Sequence, residues 1–295
     1  MFSDLESQIR VVLDDLSNGQ EAIQFSPEEI EVAVDQFREA LVKQTTPRDK
    51  DFKLRMSNIG RVTCQLQQEQ MGSPRERMPY NHWMRMVIGD CVEILVRMVL
   101  DKSQASVSSD GDEVELAVKD TVIKGTSDID IEGKVYDIKS ASQYMFRNKW
   151  KGGFQALYKA DDFGYVGQLY GYADAQNKKV GGWVVVDKSS GEILVVEVDA
   201  TPQQEAFIRQ NRENVVGTIS NNLPFQRCFE PEDETFYRKN TGGKILNKTC
   251  SWCPFKTTCW PEARYLPSPS STANPPPRKW YIEYPNDNQN TVSES

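Results

Sequence analysis

The sequence predicts an α/β protein: a central mixed sheet flanked by helices, with a helical N-terminal extension. Three observations carry that expectation. Asn81 to Leu100 places Trp83, Met84, Val87, Ile88, Cys91, Leu95, Met98 and Val99 at helical spacing. Strand-like runs follow at Val114 to Val122, Ile123 to Ile131 and Lys134 to Ile138, with bends at Gly125 and Glu132-Gly133. Helix and strand patterns then alternate, which is the order of an α/β core with a mixed sheet.

From the N-terminus, Ile9, Val12, Leu13 and Leu16 recur at helical spacing. Ser26-Pro27-Glu28-Glu29 reads as a helix start, with Ser26 as N-cap and Pro27 in the first turn, and the helix runs through Ile30, Val34, Phe37 and Leu41. Gln44 to Lys53 is polar and contains Pro47, so it reads as a loop. Arg55 to about Gln70 is expected to be helical, ended by Gly72-Ser73-Pro74. Beyond the strands, Asp161 to Asn177 reads as a helix. Gly182 to Val186 and Ile193 to Val198 read as a hairpin around Lys188-Ser189-Ser190-Gly191. Thr201-Pro202 opens a last helix to Asn214. The domain reading is a helical extension over 1–50, a core over 51–265, and a disordered tail over 266–295, whose Pro/Ser/Asn composition cannot offset its ordering entropy. Trp280, Tyr281 and Tyr284 inside that tail form a candidate docking patch for a protein partner.

The formal net charge of −8 argues against bulk electrostatic coating of nucleic acid, which needs a basic surface. A local basic strip on an acidic protein remains compatible with DNA. No apolar run reaches the roughly 20 residues of a membrane span. The first residues, MFSDLESQIRVVLDDL, lack the pattern of a signal peptide, and the expected location is cytoplasmic. In a reducing compartment, clustered cysteines read as metal ligands rather than disulfides.

Strand alternation puts Asp137 and Lys139 on one face and Ile138 on the other. Asp128 and Asp130 share a face of the preceding strand, and the turn at Glu132-Gly133 folds one strand onto the next. Carboxylates and a lysine converging this way suit phosphodiester hydrolysis. Hard oxygen ligands hold Mg²⁺ or Mn²⁺, and lysine stabilises the charge that develops. A D-x-K triplet alone is not distinctive, because Asp51-Phe52-Lys53 repeats it in a polar stretch. Glu93 on the preceding helix is a candidate third acid, and Gln168 and Tyr172, at i and i+4, share one helix face. Arg75, Arg77, Arg147, Lys149 and Lys151 are candidate phosphate contacts; solvated surface charge is the alternative for each.

Cys250, Cys253 and Cys259 form a second constellation, in which a CxxC turn aims two thiolates at one ion. The open fourth position has Cys64, Cys91, Cys228 and His82 as candidates. Zn²⁺ and an iron–sulfur cluster both use four such ligands.

Ser57 and Cys64 in MSNIGRVTC, Gly89 and Glu93 in GDCVE, Asp128 in GTSD, Asp137 and Lys139 in DIK, Gln168 and Tyr172 in QLYGY, and the closing CSWCPFKTTC occur in one order. Together they resemble the RecB-like branch of the PD-(D/E)XK nuclease superfamily. The likeness is to its iron–sulfur members, such as CRISPR-associated RecB-like exonucleases and the AddB nuclease domain. The resemblance implies a restriction-endonuclease-like core that cleaves DNA, as an exonuclease on single strands or ends. It implies Asp128, Asp137 and the main-chain carbonyl of Ile138 as ligands of Mg²⁺ or Mn²⁺, with Lys139 as the catalytic lysine. It also implies Cys64, Cys250, Cys253 and Cys259 around a [4Fe–4S] cluster. Many iron–sulfur members carry histidine where this chain has Glu93, which leaves the third metal ligand open. Two other readings compete: a non-catalytic DNA-binding recombination subunit, and a zinc-stabilised interaction protein.

Overall fold

The computed structural model describes residues 3–47, 51–110, 113–127 and 129–285. The chain divides into two compact units, 1–61 with 79–221, and 62–78 with 222–295. The helices in chain order are α1 (Asp4–Ser17), α2 (Pro27–Thr45), α3 (Thr63–Gln70), α4 (Asn81–Asp101), α5 (Gln143–Asn148), α6 (Gly153–Lys159), α7 (Tyr165–Ala175), α8 (Pro202–Ser220), α9 (Lys248–Trp252) and α10 (Lys256–Cys259). The strands are β1 (Val107–Asp110), β2 (Glu113–Val118), β3 (Thr121–Thr126), β4 (Ile129–Ile131), β5 (Lys134–Ala141), β6 (Lys179–Asp187), β7 (Ile193–Glu197), β8 (Glu232–Phe236), β9 (Lys239–Ile245), β10 (Arg264–Pro267) and β11 (Arg278–Glu283).

In the first unit, five strands form one sheet in the order β1-β4-β5-β6-β7 among the described residues. Only the β5–β6 pair is parallel, so the sheet is mixed as expected. Parallel pairing needs a long crossover, which α5, α6 and α7 supply between β5 and β6. The two faces of β5 feed separate cores. Tyr136 and Ile138 pack with Leu5, Ile9 and Val12 of α1 and Val96, Val99 and Leu100 of α4. Val135 and Ala141 pack on the other side with Trp150, Phe154, Leu157, Leu169 and Tyr170. Helices therefore cover both faces of the sheet.

The helix at the N-terminus is part of this core. Ser3 caps α1 by accepting from the Glu6 amide at 3.1 Å. The stripe Leu5, Ile9 and Val12 is buried, and each such side chain contributes roughly 1.5–3 kcal/mol when fully buried. Glu6 Oε2 accepts from the Val195 amide at 2.9 Å, so α1 also satisfies an amide on the edge strand β7. The expected division into an extension over 1–50 thus differs from the structure, because α1 closes one core. α2 has the predicted N-cap Ser26 and Pro27 in its first turn, Glu29 completes a capping box, and the helix packs on α4 without a fully buried residue.

Two expected boundaries shift. The helix expected over Arg55 to Gln70 is confined to α3. Met56 and Ile59 are buried instead, and the Met56 amide donates to the Lys124 carbonyl at 3.0 Å. The first hairpin turns at Lys119-Asp120 rather than at Gly125, with Lys119 in the left-handed region at φ 53°. Gly125 lies inside β3 because Met56 crosses it. A Cβ there would sit 2.3 Å from the Met56 Cβ.

The expected disordered tail is corrected over its first part. In the second unit β10, β11, β9 and β8 form an antiparallel sheet in that order. Tyr281 is fully buried there, and its hydroxyl donates to Glu234 at 2.7 Å. It is a core residue rather than a docking residue. Alternation along β11 supplies an inward face that average composition conceals. Residues 286–295 lie outside the described residues.

Candidate functional site

β5 carries the predicted triplet through the middle of the five-stranded sheet. Asp137 pairs in register with Trp183, and Lys139 with Val185, both fully buried. Rigid neighbours on both sides fix where the two side chains leave the backbone. Asp137 and Lys139 share the face of Val135 and Ala141, while Ile138 points into the opposite core. Asp137 is 1% exposed, and Lys139 Nζ donates to its Oδ1 at 2.5 Å while remaining 20% exposed. A buried carboxylate is costly unless paired, and Lys139 supplies the pairing charge.

Asp130, on the same side, pairs in register with Val135, so Asp137 is its diagonal neighbour, about 7–8 Å away by strand geometry. Lys178 Nζ lies 2.6 Å from Asp130 Oδ2, and Asp130 Oδ1 accepts no hydrogen bond among the described residues. The Lys178 contact satisfies ion-pair distance without hydrogen-bond direction. Asp128, the second acid of the expected site, lies outside the described residues.

α7 crosses β5 on the face of Asp137 and Lys139. It places Tyr165, Gln168 and Tyr172 one turn apart along its length. Tyr172 belongs to the core and Gln168 is half-buried. Tyr165, absent from the sequence reading, has its ring centre 5.5 Å from Lys139 Nζ. Burial pushes its phenol upward, opposed by Lys139 and Arg61 and reinforced by Asp137 and Asp161. The only hint in sequence is the aromatic pair around Gly164, just before QLYGY.

The start of α7 is pinned tightly. Gly164 has φ +78°, and a Cβ at Gly60 would fall 2.1 Å from the Gly164 carbonyl oxygen. Asp161 accepts from the Tyr165 and Val166 amides at 3.0 and 2.8 Å. Glu93 lies on α4, one turn after Gly89, and pairs with Arg97 at 3.0 Å; α4 packs on the Ile138 face of β5, opposite the face of Asp137 and Lys139. Among the phosphate candidates, Arg75, Arg77 and Arg147 are exposed, and Lys151 pairs with Glu192 at 2.8 Å. Lys149 departs from expectation. It is only 7% exposed, with Nζ 5.7 Å from the Phe163 ring centre. Packing against that ring takes it away from a surface strip.

The cysteines gather within the second unit. Cys64 near the start of α3, Cys228, Cys250 in α9, Cys253 and Cys259 at the end of α10 all line one pocket with Arg227, Lys256 and Trp260. The Cys64 amide donates to Cys228 Sγ at 3.2 Å, and Gln68 Nε2 to Cys259 Sγ at 3.4 Å. The Cys64 thiol hydrogen-bonds Cys228, which raises Cys64 and lowers Cys228 to about 6. Burial pushes Cys250 up to about 11 and raises Cys253 and Cys259. Of the four candidates for the fourth position, Cys64 and Cys228 line the pocket, and His82 is not among its lining residues. Cys91 lies elsewhere, on α4 of the first unit.

Among the described residues, no group of three His, Cys, Asp or Glu side chains converges closely enough to hold a single metal ion. The donor chemistry nonetheless sorts cleanly. The β5 site offers oxygens and a lysine, which suit a hard divalent cation. The pocket offers thiols, which suit zinc or an iron–sulfur cluster. Also among the described residues, no helix is long and apolar enough to cross a membrane.

No protein-family model and no curated protein matches the chain. Among solved structures, one titled "Crystal structure of SSO0001" is similar at 15% identity and a TM-score of 0.41, covering 77% of this chain and 96% of that one.

Proposed function

We propose that the protein is a divalent-metal-dependent DNA nuclease of the RecB-like type, acting on single strands or ends. The observation that carries the reading is the Asp137–Lys139 pair. A buried carboxylate and a partly exposed lysine meet at 2.5 Å in the middle of the central sheet. Asp137, the carbonyl of Ile138 and, by the resemblance, Asp128 would hold Mg²⁺ or Mn²⁺, with Glu93 as the open further ligand. Such an ion, when bound, neutralises phosphate charge and lowers the pKa of water. Lys139 supplies a fixed positive charge for the negative charge that develops on phosphate oxygens. Its contact with Asp137 holds the ammonium in place before substrate arrives, and the Tyr165 ring bounds its other side. Gln168 and Tyr172, on the helix above, are positioning residues for the same face.

The cysteine pocket is read as a [4Fe–4S] site with a structural role. The thiols lining the pocket are enough to supply the four ligands that a cluster needs. Digestion of end-labelled single- and double-stranded DNA with Mg²⁺ or Mn²⁺, beside Lys139→Ala, tests the activity; equal cleavage by both proteins removes the assignment. Anaerobic purification with visible absorption and metal analysis tests the cluster, and stoichiometric zinc without iron replaces it. Cys64→Ser is expected to lose the iron chromophore; retention in Cys64→Ser with loss in Cys228→Ser exchanges the fourth ligand.

A further inference from the structure

Phe163 is a large aromatic side chain left 54% exposed beside the proposed nuclease centre. Single exposed apolar residues are ordinary on a protein surface. Phe163 differs in what lies under it. Its ring stacks on Tyr165 with centroids 5.5 Å apart and planes 23° apart. Tyr165 in turn stacks on the buried Trp150 at 5.6 Å and 27°. Lys139 Nζ lies 5.5 Å from the Tyr165 ring and Lys149 Nζ 5.7 Å from the Phe163 ring. An aromatic ladder thus runs from the core, past Lys139, to solvent.

The ladder is rigid at its outer end. Asp161 holds the Tyr165 and Val166 amides, and Gly164 between the two rings sits in the left-handed region against the Gly60 backbone. A ring held this way costs little ordering entropy when something stacks on it. Of the acids nearby, Asp137 pairs with Lys139 and Asp161 accepts from main-chain amides. An exposed, preorganised ring with the partly exposed Lys139 near its base fits a ligand with a flat face and an attached phosphate. Nucleobases of an unpaired strand have both features, whereas bases stacked within a duplex offer no free face.

We infer that Phe163 is a stacking platform for a nucleobase of single-stranded DNA, placing the adjoining phosphodiester toward Lys139. This rests on the nuclease reading above and assigns the strand preference of that site. Phe163 is a binding residue; the chemistry stays with Asp137 and Lys139.

The test is fluorescence anisotropy without divalent metal, so that binding is read apart from cleavage. Wild type, Phe163→Ala and Phe163→Trp are titrated with a short labelled oligodeoxythymidylate and with an abasic strand of equal length. Phe163→Ala is expected to lose about tenfold in affinity for the base-bearing strand, with little change on the abasic one. Phe163→Trp is expected to restore binding. Because the side chain is exposed, unchanged thermal melting shows that the variants are folded. Equal affinity of wild type and Phe163→Ala for the oligodeoxythymidylate, an equal loss on both strands, or no binding by wild type overturns the proposal. Cleavage of the same strands with Mn²⁺ separates it from the underlying reading. Base-dependent binding without cleavage sinks the nuclease and keeps the platform; cleavage without base dependence does the reverse.

Discussion

Asp51-Phe52-Lys53 and Asp137-Ile138-Lys139 have the same pattern and different surroundings. The first lies in an irregular stretch, with Asp51 and Lys53 both exposed. It leads into the short bridge between Arg55 and Lys124, beside the hairpin of β2 and β3. The second lies in β5, between β4 and β6, with Asp137 buried and Lys139 upon it. Water screens a charge pair of the first kind, so its contribution is small. Burial strengthens a pair of the second kind and fixes its direction. A D-x-K triplet becomes a candidate centre through its place in a sheet, and the three letters alone do not supply that.

Substitution can break this comparison. The largest effect is expected at β5. Asp137→Asn and Lys139→Ala should each lower cleavage by roughly 10²–10³-fold, measured on end-labelled DNA under single-turnover conditions. Next comes Gly125→Ala. The added Cβ would press on Met56, where the chain leaving the first triplet meets β3. A loss of roughly 1–3 kcal/mol is expected, read from thermal melting, and an unchanged melt would deny that the approach is tight.

A third acid, Glu234, is also fully buried beside a partly exposed lysine, Lys279, and differs from Asp137 in that Tyr281, Thr241 and Ser268 donate to it as well. Burial pushes its carboxyl up, but hydrogen bonds from Tyr281, Lys279, Thr241 and Ser268 outweigh this and hold it at about 2. A lowered pKa in the folded state stabilises above the usual glutamate value, and that stability is lost as pH falls toward 2. The urea midpoint of the wild type should therefore fall between about pH 6 and pH 3 by more than that of Glu234→Gln, with DNA cleavage at neutral pH unchanged by the substitution. Parallel midpoints would sink this account. The smallest effects are expected at the first triplet. Asp51→Ala and Lys53→Ala should stay within about 0.5 kcal/mol of wild-type stability and within about twofold in cleavage.

Local signals were legible where one short stretch settles its own geometry. The Ser26-Pro27 helix start, the helical spacing of Ile9, Val12, Leu13 and Leu16, and the alternation of Asp137 and Lys139 needed no distant partner. Misreadings arose where a distant segment decided. Gly125 resembled a turn and proved to be a crossing point for Met56. Lys119-Asp120, without glycine, made the turn instead. Proline and serine around 267–277 hid β11, whose inward residues are specified by pairing with β9 and β10. Lys149 read as a surface cation and is instead buried beside the Phe163 ring.

The sequence by itself determined the fold class, the facing of Asp137 and Lys139, and the clustering of three cysteines, because periodicity and spacing are local properties of the chain. Only the tertiary structure decided which D-x-K triplet is buried, brought Cys64 and Cys228 into the pocket of Cys250, Cys253 and Cys259, and stacked Phe163 and Tyr165 beside Lys139. Those relations join residues far apart in the chain, and the packing that creates them belongs to the folded whole.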